Sequence, residues 1–194
     1  GGKSWENMGL NNSGHISMIR VHPDNSDIVW VAAQGPLWNP GGDRGLYKTT
    51  DGGQSWTRIL NIDENTGVNE FVIDPADPDI IVASSYQRRR HVWTLINGGP
   101  GSGIHKTTDG GKTWREISQG VPGGDLGRIG LAMAPSKPSL LYAIIEADDE
   151  GKGVYRSADF GESWEKRSSH MTTSPQYYNE LVVDPNDADV VYSL

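Results

Sequence analysis

The sequence contains no cysteine, which excludes disulfide staples and thiolate metal sites without placing the chain in a compartment. Apolar residues are also scarce, at 35%. No run approaches the roughly 20 apolar residues of a membrane-spanning helix, so no membrane span is expected. Amphipathic stretches of ten or more residues are missing too, which argues against helical repeats. Positive charge is short: 17 Lys and Arg stand against 25 Asp and Glu, for a formal net charge of −8. A chain without a basic face has no means of neutralising phosphates, so nucleic acid is not expected as a partner. No signal peptide is visible, and because the chain opens inside a repeat this says nothing about export.

What the chain does hold is turn formers and large aromatic rings. Its 194 residues include 25 Gly, 11 Pro, 7 Trp and 7 Tyr. Many short strands joined by tight turns fit that composition, and the length is enough for one substantial core.

Three landmarks recur in the same order. An apolar run ending in a proline turn comes first: Ile16–Pro23, Glu70–Pro75, Ile129–Pro135 and Glu180–Pro185. A β-rich run follows at Ile28–Ala33, Ile80–Ala83, Leu140–Ile145 and Val190–Tyr192. Then Gly-x-x-Lys/Arg-Thr/Ser leads into an eight-residue box, TTDGGQSW at Thr49–Trp56, TTDGGKTW at Thr107–Trp114 and SADFGESW at Ser157–Trp164. The tail of a further box opens the chain at Gly2–Trp5. Box tryptophans and turn prolines both recur about every fifty residues, and in both series the middle interval is the long one, so a single insertion sits there. A period near fifty with about four short strands per unit predicts propeller blades.

The fold expected is therefore all-β: a β-propeller segment of four-stranded antiparallel blades, with the box hairpins between the third and fourth strands. The expected divisions are residues 1–8 as the last strand of a preceding blade (a strand over about Lys3–Met8), 9–62 as a blade, 63–120 as a blade with an insertion at 86–102, 121–170 as a blade, and 171–194 as the first two strands of another. An arc of this kind leaves strand edges open, so the remaining blades are expected from the same chain or a second copy.

Within the box, Asp51, Asp109 and Asp159 are placed to accept hydrogen bonds from backbone amides two or three residues on. Gly53, Gly111 and Gly161 supply a positive φ. Thr49, Thr107 and Ser157 open the boxes, and the hydroxyls of Ser55, Thr113 and Ser163 are expected to tie across the hairpin. Trp56, Trp114 and Trp164 begin the outer strands and bury their rings against a neighbouring strand or blade. An aspartate repeated in each blade is structural rather than catalytic.

Ser/Thr-x-Asp-x-Gly-x-Ser/Thr-Trp resembles the Asp-box, or BNR repeat, of sialidases, sortilin/VPS10-type receptors, family 74 xyloglucanases and photosystem II assembly propellers. The surrounding HPDNSDIVWVAA and GRIGLAMAPSKPSLLYAIIEA look most like exported bacterial sortilin-like proteins often called "glycosyl hydrolase, BNR repeat". The resemblance covers essentially the whole chain. It implies a propeller fold, an exported location (periplasmic, cell-surface or extracellular) and a structural role for the box; it implies function far less sharply.

Strand parity puts the box hairpins and proline turns on one end of the blades and the remaining loops on the other. Long, unequal loops on a regular scaffold are where binding residues concentrate. The insertion Tyr86–Ser102 carries Arg88, Arg89, Arg90, His91 and Trp93, the basic cluster of an acidic chain. It suits a carboxylate, a sulfate or an acidic side chain, or else is a solvated loop whose arginines pair with neighbouring acids. Trp38, Asn39 and Asp43 suit sugar or peptide, or fold over their own blade. The acids of Glu146–Gly151 read as a solvated turn, and the aspartates of the proline turns as turn formers rather than calcium ligands. Tyr177 and Tyr178 are strand core or rim.

Three functions are open. The first is a non-catalytic propeller binding a protein, peptide or glycan ligand. The second is a polysaccharide-active glycoside hydrolase, xyloglucanase- or sialidase-like, with catalytic acids partly outside this segment. The third is a purely architectural piece. Asp43, Asp63, Glu64, Asp125 and Glu146 are the acids that a glycosidase pair would draw on, and Arg20, Arg44 and Arg128 leave an arginine triad open. The binding propeller is the reading chosen. No cofactor or metal is expected, and no catalytic residue is assigned.

Overall fold

The computed structural model describes residues 2–194. Among them lie fifteen strands and no helix. The first sheet is β1 (Ile16–His22), β2 (Asn25–Ala33), β3 (Gly45–Thr49) and β4 (Thr57–Leu60). The second is β5 (Thr66–Ile73), β6 (Ile81–His91), β8 (Gly103–Thr107) and β9 (Arg115–Ile117), with β7 (Thr94–Asn97) paired to the far end of β6. The third is β10 (Ile129–Met133), β11 (Leu141–Ile145), β12 (Gly153–Ser157) and β13 (Glu165–Ser168), and β14 (Leu181–Val183) pairs β15 (Val191–Ser193) in the last. In the three larger sheets each strand pairs antiparallel with the next in sequence, except that β8 skips β7 to pair β6.

These up-and-down sheets stack face to face in chain order. β5 packs on β1, and β10 lies between β5 and β14, so the first strand of each sheet lines the inner side. The core is divided accordingly. Trp30, Ala32, Leu46 and Leu60 of the first sheet close on Val68, Phe71, Ile81 and Ala83 of the second. Val72, Val82 and Ile104 of the second meet Leu131, Leu141 and Ile145 of the third. Leu140, Tyr142 and Ile144 meet Leu181 and Val183 of the last. Alternate residues of one strand thus serve opposite interfaces, as the period-2 geometry of a strand demands. This is propeller packing, and it is all-β as the repeat predicts.

The box hairpins are closed by their own side chains. Thr49 donates to Asp51 Oδ1 at 2.6 Å and accepts the Gly53 amide at 3.0 Å. Asp51 accepts the Ser55 amide at 3.0 Å and its hydroxyl at 2.6 Å. The same bonds recur at Thr107–Asp109–Thr113 and Ser157–Asp159–Ser163. Two details differ from expectation. The amide reached lies four residues on, because the threonine or serine opening the box takes the nearer amide. The hydroxyls close on the aspartate itself instead of crossing the hairpin. Gly53, Gly111 and Gly161 hold φ of 91°, 92° and 82°, and a side chain there would also meet Met8, Ile59 and Val82 of the neighbouring segment. Phe160 takes the left-handed conformation (φ 54°) where the first two boxes have Gly52 and Gly110, and its amide still bonds the preceding turn, at Ser139 O.

Hydrogen bonds from the Ser55 and Thr49 hydroxyls pull the Asp51 carboxyl down to about 2; those from Thr113 pull Asp109 lower still. At Asp159 slight burial pushes upward, but Ser163 and Ser157 outweigh it and the group sits at about 2. Depressed carboxylates stabilise the fold above their ordinary range near 4, and that stability is lost as pH falls through 2.

Residues 3–8 form no strand, contrary to expectation. A fourth strand needs the third strand of its own sheet beside it, and no described residue pairs with this segment. It nevertheless sits in register: the Trp56 indole N–H donates to Met8 O at 2.7 Å, as that of Trp114 does to Ile59 O at 2.7 Å. Each acceptor lies three residues after the preceding box tryptophan.

Candidate functional site

The insertion is a two-stranded ribbon, not a loop. β6 runs on from the sheet to His91, turns at Val92 and Trp93, and returns as β7, with Arg88 opposite Asn97, Arg89 opposite Ile96 and Arg90 opposite Leu95. Contacts to neighbouring sheets hold it over the end of the blades opposite the boxes. The Arg90 amide donates to Leu37 O at 2.8 Å, beside Trp38. Asn97 donates to Glu146 Oε1 at 2.8 Å and takes the Tyr86 hydroxyl on its own carbonyl oxygen. The Arg90 guanidinium donates to Tyr177 Oη at 2.9 Å. Burial raises the Tyr86 phenol to about 12 and raises the Glu146 carboxyl, against which the Arg128 amide and Asn97 work. Glu146 is therefore a half-buried pin between sheets and not part of a solvated turn.

All three arginines are half-buried, and their Nε atoms are buried without an acceptor. Among the described residues none forms an ion pair with a carboxylate, so the expected pairing with neighbouring acids does not occur. Arg88 reaches only Gln34 Oε1, at 3.4 Å. His91 stacks on Trp93 at the ribbon tip, 5.6 Å between centroids. Trp38, Trp93, Tyr177 and Tyr178 are all exposed, so the two tyrosines are rim and not strand core.

The first-sheet trio divides. Trp38 stays exposed, whereas Asp43 is bound by the Asn12 amide at 2.9 Å and Asn39 gives its carbonyl to Arg44 at 2.8 Å. Arg44, only 2% exposed, donates also to the carbonyls of Gly41, Gln34 and Pro36. Burial lowers its pKa, Asp63 opposes this, and nearby Arg89 adds to it. With four of its five N–H donors committed to carbonyls and its side chain buried, Arg44 is a structural strut, which removes it from any arginine triad. Asp63 and Asp125 are exposed and Glu64 uses its carbonyl on the Gly41 amide; no two of these acids and Glu146 share a hydrogen-bond partner.

A second feature lies on the inner strands, toward the box end. A cavity of about 780 Å³ is lined by residues that include Arg20, His22, Glu70 and Glu180. Glu70 is 6% exposed and accepts the Leu131 amide at 2.7 Å. Its Oε1 is 3.9 Å from Arg128 Nη2, and Glu180 Oε1 is 3.4 Å from the same nitrogen. Burial pushes Glu70 up to about 7, with the Leu131 amide and Arg128 pulling the other way and Glu180 adding to the rise. Above it, Gln34 donates to Asn69 at 2.7 Å and Asn69 to Ile129 O at 2.9 Å, which links three sheets. Glu70 is easily passed over in the sequence because it lies within β5, next to the apolar run Phe71–Ile73. The available signal was the dipeptide Asn-Glu repeated at Asn69–Glu70 and Asn179–Glu180.

The proline-turn aspartates bind amides two residues on, as with Asp74 and Ala76 at 2.8 Å and Asp77 and Asp79 at 3.1 Å. Among the described residues no group of three His, Cys, Asp or Glu is arranged to hold a metal ion.

No family model matches the chain. It is similar to xyloglucanases: 30% identical over 196 residues to Xgh74A of Acetivibrio thermocellus, covering 94% of this chain and 20% of that protein. The Paenibacillus sp. xyloglucanase is 28% identical over 201 residues, covering 97% and 18%. Among solved structures, the GH74 xyloglucanase of Xanthomonas campestris superposes with a TM-score of 0.64 at 19% identity, over 91% of this chain and 26% of that one. The chain spans about a fifth of the length of the curated relatives it matches. These are β-propeller glycoside hydrolases, and they favour the hydrolase side of the Asp-box resemblance over the sortilin-like side.

Proposed function

We propose that the chain is a glycan-binding part of a β-propeller glycoside hydrolase of the xyloglucanase kind, exported to meet a polysaccharide. The observation that supports this is the ribbon, which draws exposed Trp38, Trp93, Tyr177 and Tyr178 to one end of the blades. Flat rings at the rim of a rigid scaffold suit the apolar faces of pyranose rings. The similarity to xyloglucanases makes a β-glucan backbone the substrate class. The blades are residues 9–62, 63–120 and 121–170, with 171–194 beginning another and 1–8 lying in the place of a preceding outer strand. Further blades complete the ring from the same chain or a second copy.

The test is calorimetric titration of the protein with xyloglucan oligosaccharides, alongside reducing-end release from xyloglucan. Binding weakened at least about tenfold by Trp38→Ala or Tyr178→Ala supports the reading. Turnover extends it to catalysis, and no binding to any glycan sinks it. Helices long and apolar enough to cross a membrane are absent among the described residues.

A further inference from the structure

The ribbon carries more than aromatic rings. Arg88 and Arg90 occupy alternate positions of β6 and therefore share one face, with Arg89 on the other. Arg90 is tied to Tyr177 and Arg88 to Gln34, so the shared face looks toward the last sheet and the inner strands. In a chain of net charge −8, arginines are expected to find carboxylates. These two have none, although half-buried guanidiniums bearing unsatisfied Nε–H groups carry a desolvation cost. Beyond the bonds to Gln34 and Tyr177, each guanidinium keeps Nη donors in the planar geometry that matches a carboxylate.

We propose that the Arg88–Arg90 face binds the carboxylate of an acidic sugar, so that the glycan recognised carries uronic acid residues and not only neutral ones. This rests on the glycan-binding reading above. The aromatic rim stacks the pyranose faces and the two guanidiniums read the charge, a division of labour that a neutral glucan would not use. Sulfate esters share the anionic chemistry and accept the same two-pronged contact, so a sulfated cello-oligosaccharide that binds more tightly than the uronate probe overturns the carboxylate assignment.

The experiment is calorimetry of the protein with a β-1,4-linked hexaglucuronate, cellohexaose and hexa-aspartate as probes, at low and at moderate salt. The hexaglucuronate is expected to bind at least about tenfold more tightly than cellohexaose at low salt, and to weaken several-fold as salt rises. In the double variant Arg88→Gln, Arg90→Gln this acidic-to-neutral ratio collapses toward one. It falls most of the way in Arg88→Lys, Arg90→Lys as well, since lysine keeps charge without the fork. Arg89→Gln, on the opposite face, keeps the ratio. If Arg89→Gln lowers it equally, the ribbon's fold rather than this face sets the preference, and the proposal falls. Equal binding of neutral and acidic sugars overturns the proposal while leaving the glycan reading standing. Hexa-aspartate binding as tight as the hexaglucuronate overturns it in favour of an acidic peptide, and silence from both glycans removes the reading beneath it.

Discussion

The middle sheets and the outer sheets are built from the same repeat, yet they differ in how many of their faces are covered. In β11 every residue from Leu141 to Ile145 is buried, because one face meets the second sheet and the other meets the last. In β1, Ile19 and Val21 are both 56% exposed although Met18 of the same strand packs inward. β14 repeats the pattern with Leu181 and Val183 buried and Val182 exposed. Periodicity alone does not decide burial; the neighbour does. An apolar run on both faces of a strand is a statement that two further sheets are present.

The largest test of that contrast is truncation on either side. Leu141→Ala removes a fully buried side chain from between two sheets and should cost about 2–5 kcal/mol in urea unfolding, as transfer and cavity costs combine. Ile19→Ala should stay within about 0.5 kcal/mol, the usual range for an exposed site. Equal losses at both positions would mean that the β1 face is covered in solution.

The same contrast can be drawn with a charge. Glu70 and Glu180 hold the same place in the second and the last repeats, with Gly130 there in the repeat between, but Glu70 lies between sheets and Glu180 is about half exposed. Burial raises Glu70 to about 7 from an ordinary 4.5. A raised carboxyl stabilises the fold fully below its unfolded pKa, and that contribution is lost as pH rises through 7. Glu70→Gln carries no such titration. Its stability relative to the parent should improve by about 2–3 kcal/mol between pH 5 and pH 8.5. His105, lowered to about 4 by burial, contributes in the opposite sense: present above 6.5, lost as pH falls through 4. It is shared by parent and variant and cancels. Glu180→Gln should move stability by no more than about 0.5 kcal/mol at either pH. A flat Glu70→Gln difference across that range would show that water reaches the carboxyl.

How much of this was legible follows from where the signals lie. The Gly-x-x-Lys/Arg-Thr/Ser stretches mark β3, β8 and β12 to the residue, since the glycine and the box that follows are both local punctuation. The ribbon was not legible as strands. Its pairing partner for Arg88 is Asn97, across a turn at Val92 and Trp93 that has no glycine, asparagine or proline to announce it. Read alone, three arginines in succession look like solvated loop. Glu70 was hidden by the reverse effect, a polar residue inside a run whose apolar neighbours dominate. Arg44 read as a possible ligand because sequence does not show four carbonyls converging on one guanidinium. Local turn chemistry is written in the chain; burial of polar groups depends on the sheet next door.

The smallest test separates two tryptophans that the repeat makes equivalent. Trp114 spends its indole N–H on Ile59 O in the preceding sheet, whereas Trp164 is 5% exposed and its N–H has no acceptor. The backbone explains the difference: the Trp164 amide bonds Gln119 O, just past the preceding outer strand, and holds the ring in the apolar core between the second and third sheets. Replacing each indole by benzothiophene keeps the ring size and removes the donor. At position 114 this should cost about 1 kcal/mol, because Ile59 O loses its partner as the bond is lost. At position 164 it should be neutral or stabilising by up to about 1 kcal/mol, because an unsatisfied buried donor is removed. If both replacements cost the same, the Trp164 N–H has an acceptor in solution, and the third box is stitched to its neighbour in the same way as the first two.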